Sequence, residues 1–187
     1  MTSICQYALD IFRKLPTGVD ALAFIAGGCF RSFYDGTPVK DYDLFFASHA
    51  DWELACGFFR INPEFTETTG DGEGTYPSFK RENEPAFNLI GFRFHRSVRD
   101  LAESFDFTCV AAAAEMVEPG VVKVFQHPDF VCDASGHLLN FQNLQHIDRV
   151  ERRVSRYEAY GYRKSKSFLA KLPQCHSIPR STSGGDY

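Results

Sequence analysis

The sequence predicts an α/β protein in which helices pack on a mixed β-sheet. Three observations carry that prediction. A continuous apolar run at residues 21–26 passes through Gly27-Gly28 into a short amphipathic segment at 29–35, then into a second strand at 41–46. AFNLIGFRF at 86–94 is apolar and aromatic enough for a central strand. Between and around these runs, helical spacing appears at 4–15, 49–60 and 95–104.

Each element has a local reason. Ile4, Ala8, Leu9, Ile11, Phe12 and Leu15 share one helical face, and Pro16-Thr17-Gly18 ends that helix. Asp35-Gly36-Thr37-Pro38 turns the chain into the strand 41–46, and Ser48 is placed to cap the next helix. Residues 61–85 read as short strands around an exposed loop centred on 69–74. FDFTCVAAAAE reads as an apolar strand that contains Asp106, and Val121, Val122, Val124 and Phe125 form another. HPDFVCDASGHLLNF is irregular, and a helix follows from about Asp148 to Tyr160 with Val150, Val154 and Tyr157 inward.

With 187 residues, 44% of them hydrophobic, the chain is sized for one core. We expect a single folded unit over 1–172, with a motif core at 22–112 and a basic helical part at 146–172, and a flexible tail over 173–187. The net charge of −4 is unevenly spread: residues 146–187 hold nine Lys/Arg against four Asp/Glu, so an acidic body carries a basic end. The six cysteines are scattered with no C-x-x-C pair, which argues against a zinc ribbon or a disulfide framework and for reduced thiols. No segment approaches the roughly 18 apolar residues that span a bilayer, so a soluble, cytoplasmic protein is expected.

The chemistry concentrates between Phe24 and Phe46. Strand side chains alternate, so Asp41 and Asp43 point the same way, and two adjacent carboxylates call for a cation between them. A divalent metal suits that place. Gly27 and Gly28 open a helix whose first N–H groups can face a phosphate, although the same pair also fits a simple tight turn. Asp106, between Phe105 and Phe107, is an isolated carboxylate that needs a partner, a hydrogen bond, a metal or a surface position. On the helix 148–160, Arg149, Arg152, Arg153 and Arg156 lie mostly on one side and interleave with Tyr157 and Tyr160. That arrangement fits RNA binding and equally a solvated helix that covers the sheet.

Taken together, strand, Gly27-Gly28, Arg31, Asp41-Tyr42-Asp43 and the later Phe105-Asp106-Phe107 resemble the signature of the DNA polymerase beta-like nucleotidyltransferase superfamily. GGCFR followed by KDYDLFF is most similar to the head domain of poly(A) polymerases and CCA-adding enzymes, over roughly residues 22–112. The later part also resembles small nucleotidyltransferase-like proteins of phages. Two departures stand out: Ser32 occupies a place where those head domains carry an acidic residue, and no long helical body follows for holding tRNA.

The resemblance implies a nucleotidyltransferase fold and an enzyme that moves a nucleoside monophosphate from an NTP, such as ATP, to a hydroxyl acceptor. The acceptor would be an RNA 3′ end, a protein side chain or a small molecule. Asp41, Asp43 and Asp106 would be the catalytic, metal-holding carboxylates, with two Mg²⁺ ions or with Mn²⁺ in their place. Gly27, Gly28, Arg31 and Lys40 would bind the nucleotide. The other reading is a catalytically silent module of the same fold, for instance a phage protein that acts on a host partner. Two further patterns are weak. His127, Cys132 and His137 recur at five-residue intervals without an evident fourth zinc ligand, and His49, His95 and His146 read as surface residues.

Overall fold

Helix α1 (Ile4–Phe12) is capped by Ser3, whose hydroxyl accepts from the Gln6 N–H at 3.1 Å, and it buries Ala8, Ile11 and Phe12. The structure, a computed structural model, describes residues 2–69 and 76–179. Strand β1 (Ala23–Ala26) leads through Gly27 into helix α2 (Gly28–Asp35), which ends on the left-handed Gly36 before strand β2 (Asp41–Phe46). Helix α3 (His49–Ile61) starts on Ser48, which accepts from the Asp51 N–H at 3.2 Å. Strands β3 (Thr66–Thr69), β4 (Pro77–Lys80) and β5 (Ala86–Phe94) come next, then the short helix α4 (Val98–Glu103), capped by Ser97. A 3₁₀ turn at Thr108–Val110 precedes strands β6 (Ala112–Glu118) and β7 (Val121–Gln126). The remainder holds α5 (Phe130–Ser135), β8 (Leu138–Leu139), α6 (Ile147–Glu158), β9 (Arg163–Lys164) and α7 (Lys166–Lys171).

Among the described residues, seven strands form one sheet in the order β3-β4-β5-β2-β1-β6-β7. Within it β2 and β5 run parallel and the other neighbours antiparallel, so the sheet is mixed, as expected, while β8 and β9 pair in parallel as a separate small sheet. The side-chain alternation of β2 decides what each face does. Tyr42, Leu44 and Phe46 point into the larger core, with Ile11, Phe12, Ile25, Phe59 and Phe87. Phe45 points the other way, into a cluster with Ala26, Ile90, Val98, Leu101 and Ala113, which α4 covers. Asp41 and Asp43 share the face of Phe45 but lie beyond that cluster. Helix α6 belongs to a third cluster, built from Phe107, Val110, Phe141, Val150, Val154, Tyr157, Tyr162 and Phe168.

One close approach fixes the sheet against α3. Trp52 donates its indole N–H to the Leu89 carbonyl at 3.1 Å, and its ring fills the space where a side chain on Gly91 would sit. Gly91→Ala is therefore expected to lower stability by about 1–3 kcal/mol through overpacking. Thermal unfolding followed by the fluorescence of Trp52, the single tryptophan, measures it.

Several expectations are corrected here. Asp106 is not on a strand: the segment before Thr108 is a loop, and the strand begins only at Ala112. The stretch read as irregular contains α5 and β8. Of the tail expected over 173–187, the first residues belong to a 3₁₀ helix, Leu172–Ser177, that buries Cys175; residues 180–187 lie outside the described part. The loop at 69–74 falls, from Gly70 on, outside the described residues. His95 is buried rather than at the surface, edge-on to Phe45, and burial lowers its pKa. All six cysteines are free. No helix of the described residues is long and apolar enough to cross a membrane.

Candidate functional site

Asp41 and Asp43 face a cavity of about 210 Å³ whose other walls come from α2, β5 and α6. Gly27 caps α2 without a side-chain hydrogen bond, at φ +82°, a conformation that favours glycine. A Cβ on Gly27 would meet the Phe105 ring at 3.4 Å and Asp43 Oδ2 at 3.9 Å, both ordinary contacts, so it is the backbone conformation and not the space that calls for glycine. Gly28 has open space where its side chain would be. The predicted nucleotide-binding residues Gly27, Gly28, Arg31 and Lys40 and the predicted carboxylates Asp41 and Asp43 all line this one cavity.

The two carboxylates are half-buried and electrostatically coupled. Burial raises the pKa of Asp41 above the ordinary carboxylate value. Burial and then the charge of Asp41 push Asp43 up to about 7. Asn88, beside Asp43 in the parallel β2–β5 register, donates its amide to Asp43 Oδ1 at 3.0 Å and so opposes that rise. Ser78, on β4 and also buried, donates to Asn88 Oδ1 at 2.9 Å. Ser78, Asn88 and Asp43 thus form a relay across three adjacent strands.

Cations close the cavity from two sides. Arg31 is buried, with its guanidinium 3.1 Å from Asp35 Oδ2 as an ion pair and its Nη2 donating to Ser32 and Thr37 at 3.2 and 3.3 Å. Its other face stacks on Tyr160 at 4.6 Å and Tyr157 at 5.7 Å, and Lys40 lies 5.1 Å over the same Tyr160 ring. Tyr162 donates its hydroxyl to Asp35 Oδ2 at 2.9 Å, which ties the C-terminal part to the end of α2. Arg153 and Arg156 reach the cavity from α6.

Asp106 is not in this group. Its carboxylate, 1% exposed, takes Arg149 Nε at 3.0 Å and Arg153 Nη1 at 3.1 Å. No three His, Cys, Asp or Glu residues among those described come together as a metal cluster. The predicted triad of Asp41, Asp43 and Asp106 is therefore a pair plus a separate buried ion-pair centre. The predicted RNA-binding set changes for the same reason. Arg149 and Arg153 turn inward to Asp106, whereas Arg152 and Arg156 are exposed. Arg153 keeps Nε and Nη2 buried without hydrogen-bond partners.

Sequence reasoning missed Asn88, Ser78, Tyr76, Ile90 and Val110 as parts of the site. Asn88 alone left a signal, as a polar residue in an apolar strand. The fit to a divalent ion rests on donor chemistry. Two neighbouring carboxylates, one of them pushed up to about 7 by burial and by the charge of the other, are what a hard dication relieves.

Solved structures similar to this arrangement of strands and helices include a tRNA-processing enzyme and CCA-adding enzymes. A tRNA-processing enzyme superposes with a TM-score of 0.63 at 18% identity, over 94% of this chain and 48% of its own. A CCA-adding enzyme in complex with CTP gives 0.62 at 16%, over 91% and 43%. The CCA-adding enzyme of Thermotoga maritima, complexed with tRNA, gives 0.60 at 17%, over 91% and 42%. The chain thus spans under half of each of these proteins, and the likeness establishes a nucleotidyltransferase-like fold. No curated protein matches the sequence. A family model described as Gabija anti-defense 2 family protein matches residues 4–135, well over half of the chain, and on that match the chain belongs to the Gabija anti-defense 2 family, Gad2.

Proposed function

We propose that this chain binds a nucleoside triphosphate with a divalent metal in the cavity between β2 and α6 and transfers its nucleoside monophosphate to an acceptor hydroxyl. The acceptor oxygen forms a bond to the α-phosphorus, the bond from that phosphorus to the bridging oxygen of the β-phosphate breaks, pyrophosphate leaves, and the hydroxyl's proton passes to solvent. The observation that carries the reading is the placing of Asp41 and Asp43 on one strand face, opposite the glycine-opened start of α2. A bound Mg²⁺ would neutralise the carboxylates and polarise the phosphate oxygens. Gly27 and Gly28 let the phosphates approach the backbone, and Arg31, held by Asp35, Ser32 and Thr37, offers a fixed cation beside them. Lys40 and Arg156, both exposed, meet the rest of the triphosphate or the acceptor.

Membership of an anti-defense family supports a target in a host's Gabija defence, so the acceptor is expected on a component of that system or on an RNA it handles. A second reading, a silent module that binds a host protein, is favoured by one observation: Asp106 faces two arginines and not the cavity. Incubation of the full chain with Mg²⁺, each labelled NTP, RNA and purified Gabija proteins separates the two. Label incorporated into an acceptor with release of pyrophosphate, lost on Asp41→Ala, supports transfer. A stoichiometric complex with a Gabija protein that forms without NTP and survives Asp41→Ala supports the silent module.

A further inference from the structure

We propose that the cavity is built for a single divalent ion, and that Asn88, held by Ser78, is the residue that sets this limit. The inference rests on the metal-dependent reading above and corrects the pair of ions that the sequence resemblance implies. Asn88 stands in register with Asp43 on the adjoining strand β5 and lines the same cavity, so it occupies the place from which a further donor reaches the Asp41–Asp43 pair. It brings an amide there and no negative charge. Whichever way its amide is turned, the neighbouring Ser78 hydroxyl serves the outer atom, as a donor in the arrangement seen, at 2.9 Å. Both residues are buried, at 6% and 3% exposure, so their placing is fixed by the sheet.

The other carboxylate of the sequence signature is committed elsewhere. Asp106 already answers Arg149 and Arg153, and moving it to the cavity would leave Arg153 buried without an anion. The remaining charged groups on the cavity wall are Arg31, Lys40, Arg153 and Arg156. One dication balances the two aspartates. A second would have no further protein carboxylate to offset it and would sit near Lys40 and Arg156, beside Arg31 and Arg153 whose charges Asp35 and Asp106 already answer, and like charges repel. The arrangement suits one ion shared between Asp41, Asp43 and the triphosphate, with arginine and lysine taking the charge that a second ion would otherwise carry.

Counting ions tests this directly. The full chain is mixed with one equivalent of an α,β-methylene NTP analogue, at a concentration where nearly all the analogue is bound, and titrated with Mn²⁺, with free Mn²⁺ followed by its electron paramagnetic resonance signal. The expected result is one Mn²⁺ per chain for the wild type and for Asn88→Ala, with affinity weakened about tenfold or more in Asn88→Ala because the aspartates lose their orienting donor. Asn88→Asp is expected to hold two. Two ions on the wild type would overturn the inference and leave the nucleotide reading standing, and one ion on a folded Asn88→Asp would overturn the role given to Asn88. No Mn²⁺ and no nucleotide bound by the wild type would overturn the nucleotide reading itself. Ser78→Ala, with Ser78→Thr as its rescue, separates orientation from packing: a merely structural Ser78 would change the melting temperature and leave Mn²⁺ affinity unchanged.

Discussion

Asp106→Asn is expected to destabilise the protein by about 3–5 kcal/mol, the cost of leaving buried guanidinium groups without their anion. Asp106 is 1% exposed and carries Arg149 at 3.0 Å and Arg153 at 3.1 Å, both from α6. Arg153 has two further nitrogens buried without partners, so it has nothing nearby to fall back on when the carboxylate goes. Urea unfolding at constant pH measures the loss. A metal-ligand role for Asp106 predicts the opposite pattern, with stability nearly unchanged and Mn²⁺ affinity gone. Replacing the pair together, as Asp106→Leu with Arg153→Met, should recover part of the loss, since an apolar pair of similar volume avoids the desolvation of both ions.

Asp43→Asn should abolish metal-dependent nucleotide transfer and, without metal, make the protein more stable in alkaline solution. Burial and Asp41 push the Asp43 carboxyl from its ordinary 3.8 up to about 7, so the folded chain keeps a proton that the unfolded chain gives up. A raised pKa of this kind contributes stability that is full below about pH 4 and is lost as the pH climbs through 7. In the metal-free wild type, stability should therefore fall between pH 4 and 8, by an amount on the order of 2–4 kcal/mol at roughly 1.4 kcal/mol per unit. Asparagine cannot ionise, so the variant should lack that decline. Chemical unfolding at pH 5 and pH 8, with and without Mg²⁺, checks both halves: Mg²⁺ should raise the stability of the wild type at pH 8 and leave Asp43→Asn unmoved.

Much of the fold was legible because it is written in local pattern. The strand read at 41–46 is β2, the strand read at 86–94 is β5, and Ser48 caps the helix as expected, each being set by alternation or capping over a few residues. One wall of the cavity was legible for the same reason, since Gly27, Gly28, Arg31, Lys40, Asp41 and Asp43, which line it together, lie within one strand–helix–strand unit. Asp106 was not. A carboxylate between two phenylalanines reads alike whether it meets a metal or an arginine, and its partner Arg149 is 43 positions away. Asn88 was hidden in a different way, because its meaning comes from the parallel register of β5 on β2, which no local pattern encodes. Helices α5 and α7 did not stand out because the face that α5 buries includes a charged residue, Asp133, and α7 buries a single aromatic, Phe168, whereas the equally short α4 buries Val98, Leu101 and Ala102 at helical spacing.

The wall that α6 adds to the cavity also has a consequence for how the protein is made. Synthesis delivers the acidic body first, with Asp41 and Asp43 side by side, and Arg153, Arg156, Tyr157 and Tyr160 only more than a hundred residues later. On the ribosome the nascent β2 therefore carries its paired carboxylates without the cations that face them in the finished chain. Two charges held that close favour keeping a proton, or taking up a cation from solution, before α6 docks. The candidate site thus comes into being in two stages, an acidic cleft first and its basic cover second.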